Sequence, residues 1–576
     1  MTSKSTIKAG MYSGGMRSQH MDTAAATTMW SQLNSAIDAI FWQKTSTLSF
    51  NELYNYGYQL SIHKHGELLY NGVAGAVKGH LLNSLKDTEG SSNESMLQVM
   101  KKTWEEFKVT SGNIRDILMY LDRTFVTQAK KTPVSVMMHL IFRDVVVSSS
   151  EVAPRLRALL LEKIAQERHG QLIDRELIKS TLRMLVDLGP DGRDVYEDFF
   201  EAPFLSATRS DYKQLSQDFL SQNTCPDYLR MATAKLKDEA DRVSNYLPQT
   251  TDAKLKRVVE EELIASHAKR LIELEASGCL PMFQDSKVED LRSMYNLFVR
   301  CPATLDLLRE FMSGYVKQQG AAIMADQESN KDSVVFVRQV LDLKAKMDTI
   351  IEQSFRNEKK AQKKLKEAFE DFANKDARCS SHLAVYVDDL LKSGLRESTE
   401  AEAEVHLDRV IVIFRYLTDK DIFESFYKTH LSKRLLGGKS VSDELEKSMI
   451  AKLRLECGYQ FTSKLEGMFQ DMNLSKTVQD SFRESVHHAR CSFDLEVSSL
   501  SQGFWPLPNA KPNPRLPKVV EECMSVYQAF YTGKYDGRKL NWFPHLGTAD
   551  VKVSALSVKC IHPLLSQFAC AGAVFI

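Results

Sequence analysis

Gly438-Lys439-Ser440 supplies the last three residues of a phosphate-binding loop, in which backbone amides wrap a phosphate and a lysine reaches it. The full loop needs a glycine five residues before Gly438, and that position is Lys433. It also needs a preceding strand, whereas 429–436 reads as helix. A helix C-terminus closed by glycines accounts for the pair Gly437-Gly438 better. His63-Lys64-His65 offers two imidazoles, but on a helix positions i and i+2 face different sides, so they cannot share one ion. His487-His488 fails for the same kind of reason. Cys457, followed by Gly458, is of a nucleophile's type but has no electropositive setting, and reads as a structural thiol. No H-E-x-x-H, G-x-S-x-G or G-x-G-x-x-G occurs. The expectation is no catalytic residue, no metal ligand set and no cofactor.

What remains is chemistry of binding. Ser49 and Glu52 have the spacing of a capping box, with the hydroxyl on the Glu52 amide and the carboxylate on the Ser49 amide. Leu48 and Leu53 then form a hydrophobic staple. The helix that follows puts Tyr54 and Tyr58 on one face, at i and i+4, with Leu53, Leu60 and Ile62 left for the core. Downstream, Tyr120 and Arg123 are at i and i+3, off the stripe that holds Ile114 and Leu121. Tyrosine and arginine on an outer face are the residues of an interface. The basic run Lys359, Lys360, Lys363, Lys364 and Lys366 is interleaved with Ala361, Leu365, Phe369 and Phe372 and followed by Glu367, Glu370 and Asp371. That pattern is the solvated face of an amphipathic helix rather than a nucleic-acid patch.

These residues must be carried by long helices. Leu97, Met100, Trp104 and Phe107 step at helical spacing, as do Ile114, Ile117, Leu118, Leu121 and Phe125, and later Val340, Leu343, Met347 and Ile350. Breaks fall at 91–93, 189–192, 248–252 and 437–438. After about residue 490 the character changes. Residues 493–497 alternate apolar and polar like a strand, 505–517 is proline-rich and extended, 519–531 reads as helix, and 539–542 and 549–553 read as strands. From 551 there is no Asp or Glu, and from Cys560 no charged side chain of either sign. That apolar end is short of the roughly 20 residues a membrane span needs.

With 576 residues, 26% of them charged, and 75 basic residues against 75 acidic, the chain has the balance of a globular protein and not of a polyanion binder. Neither nucleic acid nor a membrane is expected as a partner. Nine cysteines without a C-x-x-C pair exclude a zinc ribbon or RING finger and point to reduced thiols, hence to cytoplasm and nucleus.

Several stretches together resemble the cullin family. They are Glu52-Leu-Tyr-Asn-Tyr-Gly-Tyr58 with His63-Lys-His-Gly-Glu-Leu-Leu-Tyr70; Ile114-Arg-Asp-Ile-Leu-Met-Tyr-Leu-Asp-Arg123; Val195-Tyr-Glu-Asp-Phe-Phe-Glu-Ala-Pro-Phe204; and the long block from Lys420 through Leu436 and Ser440–Ile450 to Glu456–Asp471. The likeness runs from about residue 28 to 550. It implies a mainly α fold: an elongated stack of three helical cullin repeats, then a four-helix bundle and an incomplete α/β domain. In residues, this means a flexible tail over 1–27 and repeats over 28–155, 156–275 and 276–378. The bundle then covers 379–488, a partial α/β domain 489–550, and a divergent apolar tail 551–576. The implied function is that of a non-catalytic scaffold subunit of a cullin-RING E3 ubiquitin ligase. Such a scaffold holds a BTB-domain substrate receptor at its first repeat. At its α/β end it holds a RING-box protein, which threads a strand into the sheet and brings a ubiquitin-conjugating enzyme indirectly.

By position, Leu48, Phe50, Tyr54, Tyr58, Tyr120 and Arg123 match the receptor-binding face. The family's basic-apolar motif ahead of the first repeat has no counterpart in Gly14–Gln19, and Asn51 and Tyr56 depart from the family's residue types. No segment carries the lysine that accepts the neddylation modifier. An alternative reading is therefore a truncated, ligase-defective cullin, weak in RING-box binding, that sequesters BTB receptors. A second is a helical adaptor unrelated to ubiquitin.

Overall fold

The computed structural model describes residues 21–93, 95–189, 194–326, 332–396, 398–506, 515–544 and 573–575. Part of the expected tail over 1–27 is already folded. Helix α1 (Thr23–Phe41) begins in an alanine-rich run of good helix formers, and it buries Ala26 completely. The chain divides into two compact units, one of residues up to 271 with 297–304, the other of 272–296 with 305 onward.

In the first unit, α2 (Phe50–Ile62), α3 (Gly66–Glu89) and α4 (Met96–Ile117) follow α1. The Leu97, Met100, Trp104, Phe107 stripe of α4 is wholly buried, as are Ile114, Ile117, Leu118 and Leu121. The break at 91–93 is a turn, and Arg155 on α5 (Val152–Arg168) donates to the carbonyls of Glu89 (3.0 Å) and Ser91 (2.8 Å) to hold it. The repeat limit expected at 155/156 thus falls inside one continuous helix. In the 195–204 stretch Tyr196, Phe200 and Phe204 are core, with Phe200 and Phe204 stacked at 5.3 Å. Its buried Glu201 accepts from the Thr251 hydroxyl (2.7 Å) and from Lys254 (2.5 Å). The break at 248–252 leads into the helix Thr251–Glu260, while 190–192 lie outside the described residues.

The second unit contains α6 (Ser333–Ser354), whose Val340, Leu343, Met347 and Ile350 are buried, and α7 (Lys359–Ala373). The basic run of α7 is a solvated face: Lys364 pairs with Glu310 at 2.6 Å and Lys366 with Glu370 at 3.4 Å, while Ala361, Leu365, Phe369 and Phe372 face the core. Five helices follow: α8 (Arg378–Asp389), α9 (Glu400–Tyr416), α10 (Lys420–Gly437), α11 (Asp443–Cys457) and α12 (Tyr459–Arg483). They are tied by Arg434 of α10, which has no exposed surface. Its guanidinium donates to both oxygens of Glu446 on α11 (2.6 and 2.8 Å) and to Asp388 on α8 (2.6 Å).

The α/β part differs from expectation in two ways. Residues 493–497 are not a strand; the strand β1 is Ser498–Leu500. The alternation is real, with Leu495 and Val497 buried between exposed Asp494 and Glu496, but the partner is a helix. Along α12, Gln479 takes the Val497 amide (3.1 Å) and gives to the Leu495 carbonyl (2.7 Å). Ser475 does the same for the Ser499 amide and Val497 carbonyl, and Asp471 accepts the Ser501 amide and the Trp505 indole, both at 2.8 Å. Three side chains spaced by four residues thus replace a neighbouring strand. The second difference is the sheet itself. β3 (Ala573–Phe575) lies between β1, to which it is parallel, and β2 (Asn541–Phe543), to which it is antiparallel. The stretch expected to leave the sheet incomplete supplies its middle strand. Helix α13 (Lys518–Lys534) packs Cys523, Tyr527 and Tyr531 onto Phe482, Leu495 and Val497. The strand read over 549–553 and residues 507–514 of the proline-rich stretch lie outside the described residues.

Candidate receptor-binding face

Helix α2 starts where expected, but without the capping box. Ser49 is the N-cap in extended backbone (φ −96°, ψ 115°), yet its hydroxyl makes no capping hydrogen bond. Both Ser49 and Glu52 are exposed, which leaves the first amides open to solvent, and Glu52 lies in the first turn, where an acidic side chain suits the helix N-terminus. Inside α2, Leu53 and Leu60 are buried, whereas Ile62, expected in the core, is 41% exposed at the last helical position. His63-Lys64-His65 is not helical; it is the turn to α3, with Lys64 at φ +66°, and His65 lies 3.3 Å from the Met21 carbonyl.

Gly57 decides how closely α2 lies on its neighbour. A Cβ there would meet Leu118 Cδ2 at 3.3 Å and the Ile117 carbonyl at 3.4 Å. Without one, α2 settles onto the end of α4 and brings Tyr58 to Tyr120, with ring centroids 4.6 Å apart. On the same face of α2 the rings of Phe50 and Tyr54 lie nearly parallel at 6.2 Å. Beyond Tyr120 the chain enters a π-helical turn, Asp122–Val126, which buries Val126 and leaves Arg123 exposed. Of the six residues singled out, the structure gathers Phe50, Tyr54, Tyr58 and Tyr120 and carries Arg123 three residues further on; Leu48 is half-buried in the turn ahead of α2. Phe50 is 54% exposed and the three tyrosines are half-buried. Among the described residues their hydroxyls make no hydrogen bond and Arg123 makes no ion pair. Such a face has apolar area to cover and polar groups to satisfy, which is the composition of a docking surface. Asp122, the residue between Leu121 and Arg123, was not singled out in the sequence, although it sits inside the Tyr-Leu-Asp-Arg stretch.

The other candidates have structural roles. Gly438 takes φ +58° as the left-handed cap of α10, which is why a glycine ends that helix rather than opens a phosphate loop. Burial pushes the Cys457 thiol above its ordinary pKa, the opposite of an activated nucleophile.

Residues 30–479 match the cullin alpha solenoid domain, and residues 500–570 match the cullin alpha+beta domain. The chain belongs to the cullin family. It is 40% identical over 527 residues to Cullin-3 of Dictyostelium discoideum, covering 91% of this chain and 68% of that protein. Cullin-3A of Arabidopsis thaliana is 41% identical over 532 residues (92% and 72%), and Cullin-3 of Caenorhabditis elegans 35% over 546 residues (93% and 70%). The alpha+beta match of this cullin runs to residue 570, past the point near 550 where the resemblance was expected to stop. In this cullin the long helical part and the small α/β part therefore carry the two family domains in the expected order.

Proposed function

We propose that this chain is a non-catalytic scaffold subunit of a cullin-RING E3 ubiquitin ligase, acting in cytoplasm and nucleus. It holds a BTB-domain receptor on Leu48, Phe50, Tyr54, Tyr58, Tyr120 and Arg123. The observation that carries the receptor reading is the gathering of Phe50, Tyr54, Tyr58 and Tyr120 on one face, with no hydrogen bond from the tyrosine hydroxyls and no ion pair for the nearby Arg123 among the described residues. A scaffold contributes proximity between a bound substrate lysine and a charged conjugating enzyme, which requires rigid parts and no reacting group of its own. At the α/β end, a RING-box protein adds a strand to the sheet. Among the described residues β3 takes one side of β1 and the Ser475 hydroxyl takes the Ser499 amide, so the added strand is assigned to the outer edge of β2.

Binding of a purified BTB domain to the full chain tests the receptor reading. Tyr54→Lys places a charge in a contact that must be dry and costs on the order of 2 kcal/mol or more of affinity. Helicity by circular dichroism stays unchanged, because Leu53 and Leu60 are untouched. Full BTB affinity in that variant would remove the assignment.

A further inference from the structure

Among the described residues the Asp122 side chain makes no hydrogen bond to a residue of the face, yet it fixes the segment that carries half of it. Its carboxylate oxygen Oδ1 accepts the backbone amide of Val134 at 2.9 Å, twelve residues downstream. Val134 is the first residue of the helix Val134–Phe142, whose N-cap is Pro133 and offers no side-chain acceptor. That amide is one of the orphan donors every helix N-terminus leaves, and here it is satisfied from a distance. Backbone hydrogen bonds and hydroxyls tighten the same turn: Thr124 donates to the Tyr120 carbonyl (2.8 Å) and Thr127 to the Asp122 carbonyl (2.8 Å). The intervening loop is pinned as well. Tyr70 donates to the Thr132 carbonyl at 2.9 Å, and Lys131 lies 5.0 Å over the Tyr70 ring and 3.5 Å from Glu67. Leu121 on one side of Asp122 is fully buried, and Arg123 on the other is exposed. π-helical turns are rare and occur mostly as single turns inside α-helices, and here the turn is held by these ties.

We propose that Asp122 is a positioning residue for the Tyr120–Arg123 half of the receptor face. By capping the helix at Val134, it holds the π-helical turn so that Tyr120 stays against Tyr58 and Arg123 stays available to the partner. This rests on the receptor reading given above. Asp122→Asn keeps the acceptor oxygen, and Asp122→Ala removes it.

The test is a double-mutant cycle on the full chain, with binding of a purified BTB domain that has measurable affinity for the wild type. Asp122→Ala lowers affinity about tenfold and Asp122→Asn restores most of it. Combined with Arg123→Ala, Asp122→Ala adds little further loss, because the residue it aims is gone. Combined with Tyr54→Ala, on the other half of the face, the losses multiply. Hydrogen exchange at the Val134 amide quickens in Asp122→Ala and not in Asp122→Asn. If Tyr54→Ala and Arg123→Ala both keep full affinity, the receptor face itself is wrong and the positioning role falls with it. If they lose affinity while Asp122→Ala does not, or if Asp122→Ala couples equally to both, the face stands and the positioning role alone is overturned.

Discussion

Arg434 shows what a single residue carries in this protein. It is fully buried among Asp388, Glu446 and the Tyr427 ring, and Lys392 and His430 also reach Asp388. Burial alone would raise the Asp388 carboxyl, but hydrogen bonds from His430, Lys392 and Arg434, with the Arg434 charge, outweigh it and hold the carboxyl well below the usual carboxylate range. Arg434→Met leaves two buried carboxylates without their main partner, and the second unit loses about 3–5 kcal/mol. Arg434→Lys does not restore it, since an ammonium cannot serve Glu446 through two parallel bonds and Asp388 at once. Chemical denaturation of the two variants checks both statements. At the same scale, no cysteine is expected to accept ubiquitin: a reductant-sensitive adduct on Cys457, whose thiol burial pushes up, would mean a catalytic site exists here after all. Single residues were unevenly legible. The glycine cap at Gly438 could be read because the pair Gly437-Gly438 ends a helical run and a glycine takes the left-handed cap at no steric cost. The spacing of Ser49 and Glu52 is the same as that of Thr399 and Glu402, where the capping box does form. The spacing permits the reciprocal bonds, but whether water takes them instead is decided by the fold around them.

At the scale of elements, the contact between α12 and the chain at 495–501 was the least readable. Alternation over 493–497 marks Leu495 and Val497 as inward, as they are, and Phe493 with them, which is exposed; a period of two also says nothing about what the backbone bonds to. Asp471, Ser475 and Gln479 recur every four residues along one side of α12, and they are buried acceptors and donors for the backbone at 495–501. Gln479→Leu fits the space and strands the Val497 amide and Leu495 carbonyl together, which costs about 1–3 kcal/mol for each buried group left unmade. Faster amide exchange at Val497 without a change at Arg434 would show that the loss is local to this joint. The seating of α2 was legible only in part. The tyrosines were readable from their i, i+4 spacing, whereas the glycine between them gains its meaning from Leu118 and the Ile117 carbonyl, far away in sequence. Gly57→Val demands more room than the 3.3 Å to Leu118 allows, so α2 lifts and Tyr58 parts from Tyr120. Receptor affinity then falls at least as far as in Tyr58→Ala, although no contact residue has changed; equal affinity to wild type would show that the ring contact is not needed.

Across the whole molecule, the order of long helices followed by a mixed end near 490 was legible from hydrophobic period alone, and so was the family. The role of the C-terminal stretch was not, because an apolar run without alternation has no readable partner, and β3 finds its place only between β1 and β2. Titration is another property of the whole that no local pattern reveals. Four histidines, His80, His139, His267 and His382, have their pKa values lowered, each chiefly by burial. His80 stacks on Phe41 at 4.2 Å, His139 lies against Trp104 at 5.5 Å, and His267 and His382 are bonded to the hydroxyls of Ser216 and Ser333 at 2.8 and 2.6 Å. An imidazole lowered in the folded state binds its proton more readily when unfolded, where its pKa is about 6.5. Stability is therefore full above that value and declines as pH falls below it, since the unfolded chain then takes up protons the folded one refuses. The lowered carboxyls of Asp388 and Glu167 contribute in the same direction, but only as pH drops through the unfolded carboxylate range near 4. From about pH 6.5 downward the lowered histidines work in this direction, whereas the carboxyl of Asp122, raised by burial, works against them as it takes up its proton. His80, His139 and His267 lie in the first unit and His382 in the second, so the first unit is expected to weaken more. Hydrogen exchange at pH 7.5 and 5.5, corrected for the intrinsic rates, reads the two units separately: protection drops further in the first unit than in the second. His139→Gln, which removes the titrating ring beside Trp104, reduces that difference, and protection in the first unit that is equal at both pH values would overturn the account.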